Sequence, residues 1–281
     1  MPPGFGGVRQ EQAWGAKDAG ANVQACCTLP AAGMTAAAAH VQSFDTYTLT
    51  YFDGRGLAEV PRTLFATSGH AFNDVRLTRD QFKDARGQGD LAKNLNRVPM
   101  LNHNGAIVGQ SGAISRYLAR QLGLMGSTEI EAAQINSMTE HVADIKAAYR
   151  RLFPYRPAVP LADDELAANK KVWFDTPAVP ELENRAERQL QWFLGKVEAT
   201  LPDSGSGYSV GGRPSLADAY IFNLLGEYAP TVEDKTKGEP FGDKTATDAV
   251  LAGFPKLKAV VDTFRDSPGM QQYLSTRKVN W

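Results

Sequence analysis

A strand, a glycine-containing turn and the start of a helix are predicted by the stretch Tyr47-Thr-Leu-Thr-Tyr51-Phe-Asp-Gly-Arg-Gly56-Leu-Ala-Glu59. Tyr47, Leu49 and Tyr51 share one face of the strand, because side chains alternate with a period of two. Gly54 and Gly56 allow the turn to approach a ligand closely. A phenol that ends a strand just before a helix N-terminus suits the binding of an anion. Taken alone, the stretch favours a packing role for Tyr51 over a functional one, because tyrosine is common in strands.

The length and charge of the chain restrict its class. At 281 residues it exceeds an average domain, so two domains with separate cores are expected. The 30 basic and 31 acidic side chains leave a net charge of -1, which offers no electrostatic case for a nucleic acid or an anionic membrane as partner. The uncharged residues 19–44 are interrupted by polar residues, Pro30 and Gly33, and do not predict a membrane span.

The positions of the cysteines and histidines restrict sulfur and metal chemistry. Cys26 and Cys27 are adjacent, and residues 28–281 contain no cysteine, so neither a disulfide framework nor a zinc cluster is expected. This usage predicts a reducing compartment such as the cytoplasm. Any sulfur chemistry must therefore use the thiol of a bound small molecule. The four histidines are scattered without ligand spacing, so no metal site is predicted.

Strand and helix patterns alternate between Thr46 and Gly126. Residues 1–44 before them are rich in Ala and Gly without periodicity and predict a flexible tail. Asn104-Gly105 between apolar runs indicates a β-hairpin, because both turn positions need positive φ. Ser111 is a good helix N-cap. The order β-α-β-α-β-β-α predicts a small α/β domain at residues 45–125.

Only helical patterns follow Gly126. Apolar residues spaced by threes and fours between Ile135 and Leu152 predict one long helix. Ser215-Leu-Ala-Asp218 predicts a capping box at the start of a buried helix. Residues 154–180 and 227–247 are rich in Pro, Gly and charge, and predict loops. An all-helical domain is therefore expected at residues 128–281.

This order of motifs resembles the cytosolic glutathione transferases, and most of all their sigma class. The opening stretch is similar to the first strand and helix of sigma-class members, in which the tyrosine before Phe is catalytic. Arg97-Val98-Pro99 resembles the cis-proline loop of the family, and Gln110-Ser111 matches the pair that binds the γ-glutamyl end of glutathione. The resemblance spans roughly residues 46–275 and implies a thioredoxin-like N-terminal domain followed by an all-α domain.

The resemblance implies glutathione as co-substrate and no metal. Tyr51 would donate a hydrogen bond to the glutathione sulfur and favour the thiolate, which is the nucleophilic form. Gln110 and Ser111 would hold the γ-glutamyl end at a helix N-terminus. A cis peptide between Val98 and Pro99 would turn the Val98 backbone towards the cysteinyl part of glutathione.

Two departures from the family pattern bear on the site. The Trp and Lys that commonly hold the glycyl carboxylate align best with Phe82 and Arg86; Arg86 can pair bidentately with a carboxylate, whereas Phe82 lacks an indole N–H. Some sigma members have an arginine where Leu57 stands, so help for the thiolate from that side is not expected. The glutathione site is therefore expected to comprise Tyr51, Phe82, Arg86, Arg97, Val98, Pro99, Gln110 and Ser111.

The second substrate is expected to be a small hydrophobic electrophile, whose conjugation is a detoxification reaction. Its pocket is expected between the domains, near the C-terminal Trp281, although each aromatic involved could equally belong to a core. The expected lining is Asp53, Gly54, Arg55, Gly56, Tyr149, Arg150 and Phe153.

Other functions of the same fold remain open. Glutathione-dependent isomerisation and peroxide reduction use the same co-substrate. A non-catalytic binding or structural protein is a further alternative, since lens crystallins are related to the sigma class. The presence of Tyr51, Gln110 and Ser111 together favours an enzyme. A homodimer is implied by the resemblance alone.

Overall fold

A four-stranded mixed sheet forms the centre of the N-terminal domain. The computed structural model describes residues 46–154, 159–178, 187–226 and 240–277, so the predicted tail at 1–44 and Trp281 lie outside the described residues. Strands β1 (Tyr47–Phe52), β2 (Asn73–Leu77), β3 (Met100–His103) and β4 (Ala106–Gly109) lie in the order β2-β1-β3-β4. β1 is parallel to β2 and antiparallel to β3, which is antiparallel to β4. The hairpin predicted at Asn104-Gly105 is confirmed.

Three helices accompany this sheet: α1 (Glu59–Ser68), α2 (Arg79–Gln88) and α3 (Ser111–Gln121). A 3₁₀ turn at Gly56–Ala58 leads into α1, which ends at Gly69 with a φ of 71°, as expected of a glycine stop. Leu49 and Leu101 face each other across β1 and β3 and are fully buried. The thioredoxin-like domain predicted from the motif order is confirmed.

All the regular secondary structure described in the C-terminal domain is helical. Its helices are α4 (Glu129–Leu152), α5 (Asp163–Asp175), α6 (Leu190–Thr200), α7 (Leu216–Ile221), α8 (Lys244–Leu251), α9 (Pro255–Asp266) and α10 (Pro268–Thr276). A π-helical turn at Phe222–Gly226 continues α7. The fold class is confirmed, while the domain bounds 45–125 and 128–281 stay a prediction.

The prediction of loops at 154–180 and 227–247 is wrong where α5 and α8 lie. In α5, acidic residues in the first turn favour the helix N-terminus, and the buried Trp173 and Phe174 anchor its last turn. In α8, the Asp243 side chain caps the helix by accepting a hydrogen bond of 3.0 Å from the N–H of Ala246. The charged residues of these segments led to the prediction of loops. They are compatible with helices because they lie at helix starts and on solvent-exposed faces.

Candidate functional site

The register of the sheet brings Tyr51 and the cis-proline loop to the same end. Thr50 of β1 lies opposite Met100 of β3, so Tyr51 follows at the edge where Pro99 enters β3. The Val98–Pro99 peptide is cis, which confirms that prediction. Tyr51 at the end of β1 and the Val98–Pro99 peptide before β3 are therefore neighbours.

Asn94 holds the cis-proline loop and was missed in the sequence. It is buried, and its Nδ2 donates hydrogen bonds to the carbonyl oxygens of Arg97 (2.8 Å) and Pro99 (2.9 Å). These carbonyls flank Val98, whose backbone is predicted to face the ligand. A single asparagine in a polar connection carries no local sequence signal for such a role, because its partners are set by the folded loop.

The segment after β4 reaches the same end of the sheet. Gly109 lies opposite Met100, and Gln110 follows as the N-cap of α3, so Ser111 is the first helical residue and not the predicted N-cap. Gln110 has a φ of 67° and a ψ of 120°, a strained conformation for a residue with a side chain. Such strain is typical of ligand-binding positions. The free N–H groups of the α3 first turn suit the carboxylate predicted there.

Asn94→Ala is expected to weaken the binding of glutathione. Losing both hydrogen bonds leaves the flanking carbonyls unpaired and the loop less ordered, so the KM for glutathione should rise about tenfold, matching about 1.4 kcal/mol. Steady-state kinetics at varied glutathione measure it. Asn73→Ala, at the exposed start of β2, is the matched control and should leave the KM unchanged. An unchanged KM in Asn94→Ala would contradict the assigned role.

The Tyr51 hydroxyl is held by the backbone of the turn that follows it. The N–H of Leu57 donates a hydrogen bond of 3.2 Å to the Tyr51 Oη. The expectation that the Leu57 side chain gives no help to the thiolate stays a prediction, and the backbone N–H of Leu57 contacts the phenol instead. A phenol that accepts one hydrogen bond becomes a better donor of its own proton. Gly56, at a φ of 42°, lies against the ring of Tyr51.

Two arginines that carry no motif signal in the sequence contact the turn at residues 53–56. Arg76 Nη1 lies 3.3 Å from Asp53 Oδ1, and Arg62 Nη1 donates a hydrogen bond of 2.7 Å to the Gly54 carbonyl. Arg55 is only 4% exposed. Of the residues predicted to line the electrophile pocket in this turn, Gly54 and Arg55 are therefore buried, whereas Asp53 is partly exposed and Gly56 is exposed.

Phe82 and Arg86 lie side by side on α2, near the end of β1. The ring of Phe82 packs on Phe52, with 4.9 Å between centroids, and Phe52 directly follows Tyr51. The Arg86 guanidinium lies 5.7 Å from the centroid of the Phe82 ring and is exposed. The arrangement leaves a cation next to the strand end, where it could pair with a carboxylate.

Tyr149 and Phe153 belong to an aromatic cluster of the helical domain. Their rings stack at 4.4 Å, and Tyr149 also packs on Trp173 and Phe241. The Tyr149 hydroxyl donates a hydrogen bond of 2.9 Å to the Phe241 carbonyl, and burial raises the pKa of Tyr149 to about 12. Arg150 is exposed beside this cluster. At neutral pH the Tyr149 hydroxyl stays protonated and committed to that carbonyl.

Other kinds of site are not found in the part of the chain that the structure describes. No group of three or more His, Cys, Asp or Glu side chains there could hold a metal ion. No helix among the described residues combines the length and apolarity needed to cross a membrane. A cavity of about 230 Å³ between α4 and the segment after α6 is lined by none of the predicted site residues.

Comparisons with known proteins agree with this geometry. Residues 47–120 match the family described as glutathione S-transferase, N-terminal domain, and residues 170–277 match the corresponding C-terminal domain. The chain is 31% identical over 231 residues to glutathione S-transferase 1 of Ascaris suum, covering 82% of this chain and 96% of that protein. It is 28% identical over 239 residues to S-crystallin 3 of Enteroctopus dofleini, covering 83% and 97%.

A solved structure shows the same architecture. The monomeric glutathione S-transferase Na-GST-3 of Necator americanus is similar with a TM-score of 0.63 and 28% identity, over 84% of this chain and 98% of that one. Both domains of the described chain therefore have counterparts in a single known protein.

Proposed function

The chain belongs to the glutathione S-transferase family and is a glutathione transferase, and we propose that Tyr51 activates the glutathione thiol for attack on hydrophobic electrophiles. One observation carries this proposal. The Tyr51 hydroxyl, held by the Leu57 N–H, lies at the same end of the sheet as Val98–Pro99 and Gln110–Ser111.

The chemistry follows from the pKa of the thiol. A free thiol of this kind has a pKa of about 8.5, so little thiolate exists at neutral pH. A hydrogen bond from the Tyr51 hydroxyl to the sulfur favours the charged form and lowers that pKa. The thiolate then forms the C–S bond with the electrophilic carbon, and a leaving group departs or a proton is taken up. Holding both reactants in place supplies a further part of the acceleration.

The remaining contacts to glutathione are proposed from the positions of the side chains. Gln110 and Ser111, at the N-terminus of α3, would bind the γ-glutamyl carboxylate through backbone N–H groups and the helix dipole. The Val98 backbone lies in the loop that includes Arg97 and Pro99. It would pair with the cysteinyl part of glutathione. Arg86, with Phe82 beneath it, would pair with the glycyl carboxylate.

The electrophile is proposed to bind over the Asp53–Gly56 turn. Gly56 is exposed and lies against the Tyr51 ring, so the electrophile would approach the sulfur over Gly56, while Gly54 and Arg55 are buried. Tyr149, Arg150 and Phe153 are proposed as a further wall, contributing ring faces and the exposed Arg150 side chain. The Tyr149 hydroxyl takes no part in this proposal, because it is bonded to the Phe241 carbonyl.

The decisive experiment compares the parent with Tyr51→Phe in the conjugation of glutathione to a chloronitrobenzene-type electrophile. Losing one hydrogen bond to a charged group is expected to lower kcat by about 10- to 150-fold, from about 1.5–3 kcal/mol. Binding to immobilised glutathione should persist. Tyr208→Phe removes a hydroxyl elsewhere and should leave kcat unchanged. An inactive parent, or an unimpaired Tyr51→Phe, would refute the mechanism.

A second experiment separates packing from catalysis at Tyr149. Tyr149→Phe leaves the Phe241 carbonyl unpaired, so the free energy of unfolding should fall by about 1–2 kcal/mol while kcat stays within about twofold of the parent. Because the folded pKa of about 12 exceeds the ordinary value of 10.0, stability of the parent falls as pH rises from 10 to 12. Urea unfolding should show this decline in the parent and a smaller one in the variant. A large loss of kcat would instead place the hydroxyl in the reaction.

The class and setting of the enzyme are proposed from its similarity to known proteins. We assign it to the sigma class, which the similarity to an S-crystallin supports, and to detoxification in the cytoplasm. A homodimer is proposed by resemblance, although the Necator americanus relative is described as monomeric. The S-crystallin similarity also raises a structural role, but Tyr51, Gln110 and Ser111 at one sheet end favour catalysis.

A further inference from the structure

A buried cluster of charges joins the C-terminal helix to the first turn of α1. Glu59 is 1% exposed, and its Oε1 accepts hydrogen bonds from the Tyr273 hydroxyl (2.9 Å) and from Arg277 Nη1 (3.0 Å). Arg62 is fully buried, lies 3.6 Å from Glu59 Oε2 and donates hydrogen bonds to the Asp74 carboxylate through its Nε and Nη2. None of these side chains has a part in the proposed reaction.

Such a cluster calls for an explanation other than stability. Removing charged groups from water is costly, and well-packed apolar side chains of similar volume often stabilise a core equally well. In some proteins, buried charges are retained because they fix one geometry.

Glu59 and Arg62 hold the turn that carries the Leu57 N–H. Arg62 Nη1 donates hydrogen bonds to the carbonyls of Gly54 (2.7 Å) and Arg55 (3.4 Å). The backbone N–H of Glu59 donates to the carbonyl of Gly56. Three successive carbonyls of the turn are thus bonded to these two residues, and the next N–H along the chain, that of Leu57, is the donor to Tyr51.

Close packing holds α10 against α1. A Cβ added at Gly269 of α10 would lie 2.1 Å from the carbonyl oxygen of Ala66 in α1, so the two backbones are almost in contact. Gly269 and Tyr273 both belong to α10, and Tyr273 follows Gly269 by about one helical turn. The contacts from α10 to Glu59 are therefore made by a helix whose position leaves little freedom.

We propose that α10 is a positioning element for the catalytic tyrosine. Tyr273 and Arg277 fix Glu59, and thereby the turn whose Leu57 N–H aligns the Tyr51 hydroxyl with the sulfur. They are positioning residues that act through the turn. This inference rests on the proposed role of Tyr51.

The test measures the pKa of glutathione bound to the enzyme, from the ultraviolet absorbance of the thiolate, together with kcat against pH. In Tyr273→Phe and in Arg277→Met this pKa should rise by about one unit, which reduces the thiolate fraction near neutral pH about tenfold. The KM for glutathione should stay within about twofold. Arg277→Lys should recover most of the parental pKa. Arg265→Met, at an exposed arginine of α9, is the matched control and should change neither quantity.

Each outcome decides between positioning and simple stabilisation. A merely structural role would scale kcat equally at every pH without moving the pKa of the bound thiol, and that result would overturn the inference. If Arg277→Met does not fold, Tyr273→Phe, which retains the Arg277 contact, decides alone.

Tyr51→Phe separates this inference from the proposed function. If Tyr51→Phe leaves the pKa of the bound thiol at its parental value, the proposed function fails. If Tyr51→Phe raises it but Tyr273→Phe and Arg277→Met do not, only the role of α10 fails. In Tyr51→Phe/Arg277→Met, the effect of Arg277→Met should disappear, because both changes act on one hydrogen bond. Additive effects would contradict the inference.

Discussion

Asp218→Ala is expected to lower the free energy of unfolding by about 3–5 kcal/mol. Asp218 is fully buried at the start of α7, and its carboxylate accepts three hydrogen bonds. Oδ1 accepts from the Ser209 N–H (2.7 Å), and Oδ2 accepts from the N–H (2.8 Å) and the hydroxyl (2.7 Å) of Ser215. Alanine would leave three buried donors without their acceptor.

The effect reaches beyond one helix because α7 contacts helices of both domains. α7 packs against α4 and α9, and the Leu216 N–H at its first turn donates a hydrogen bond of 2.9 Å to the Leu124 carbonyl in the connection between the domains. The capping box therefore positions the helix and also its link to the N-terminal domain. Loss of the cap should loosen both.

Urea unfolding followed by circular dichroism measures this change. Asp243→Ala is the matched control, because Asp243 also caps a helix, but at a less buried site with one N–H bond and a partly exposed ion pair to Lys170; about 1 kcal/mol is expected there. Equal losses in the two variants would show that burial and the extra Ser209 and Ser215 bonds contribute nothing.

Most of the fold could be predicted because its signals are local. Asn104-Gly105 carries its turn preference in two residues, Gly69 stops a helix by its own φ, and Ser215 to Asp218 form a capping box within four positions. The α5 helix carries no clear helical signal, because its buried apolar residues Trp173 and Phe174 stand together at the end of a charged stretch and give no periodic pattern.

The site was predictable only where it is built from neighbours in sequence. Tyr51 and the cis peptide at Val98–Pro99 follow from motifs. By contrast, Asn94 and Arg62 act through carbonyls that folding brings to them, and Arg277 meets Glu59 across 218 positions of chain. No periodicity or spacing records such contacts. The Leu57 N–H leaves no mark in the sequence for another reason, because every residue except proline carries such a backbone donor.

Gly56→Ala is expected to abolish most of the activity while the protein stays folded. A Cβ at this position would lie 2.6 Å from the Tyr51 hydroxyl oxygen and 3.0 Å from its ring, so the phenol must move. Gly56 also has a φ of 42°, which L residues adopt only with strain. Since misplacing a reacting group by about 1 Å can cost about 10²-fold, kcat should fall by at least that factor.

Gly69→Ala is the matched control for the strain alone. Its φ is 71°, but a Cβ there meets nothing within 4 Å, so it should lower the free energy of unfolding by about 1 kcal/mol without changing kcat. Kinetics and urea unfolding on both variants separate the clash from the strain.

The double variant Tyr51→Phe/Gly56→Ala tests the mechanism of the loss. If Gly56→Ala acts by displacing the Tyr51 hydroxyl, it should lower kcat much less in the Tyr51→Phe background than in the parent, because the group it displaces is already absent. A full further loss in the double variant would mean that the glycine serves the second substrate instead. Because Gly56 directly precedes the Leu57 donor, the first outcome would also support the view that this turn sets the position of the phenol.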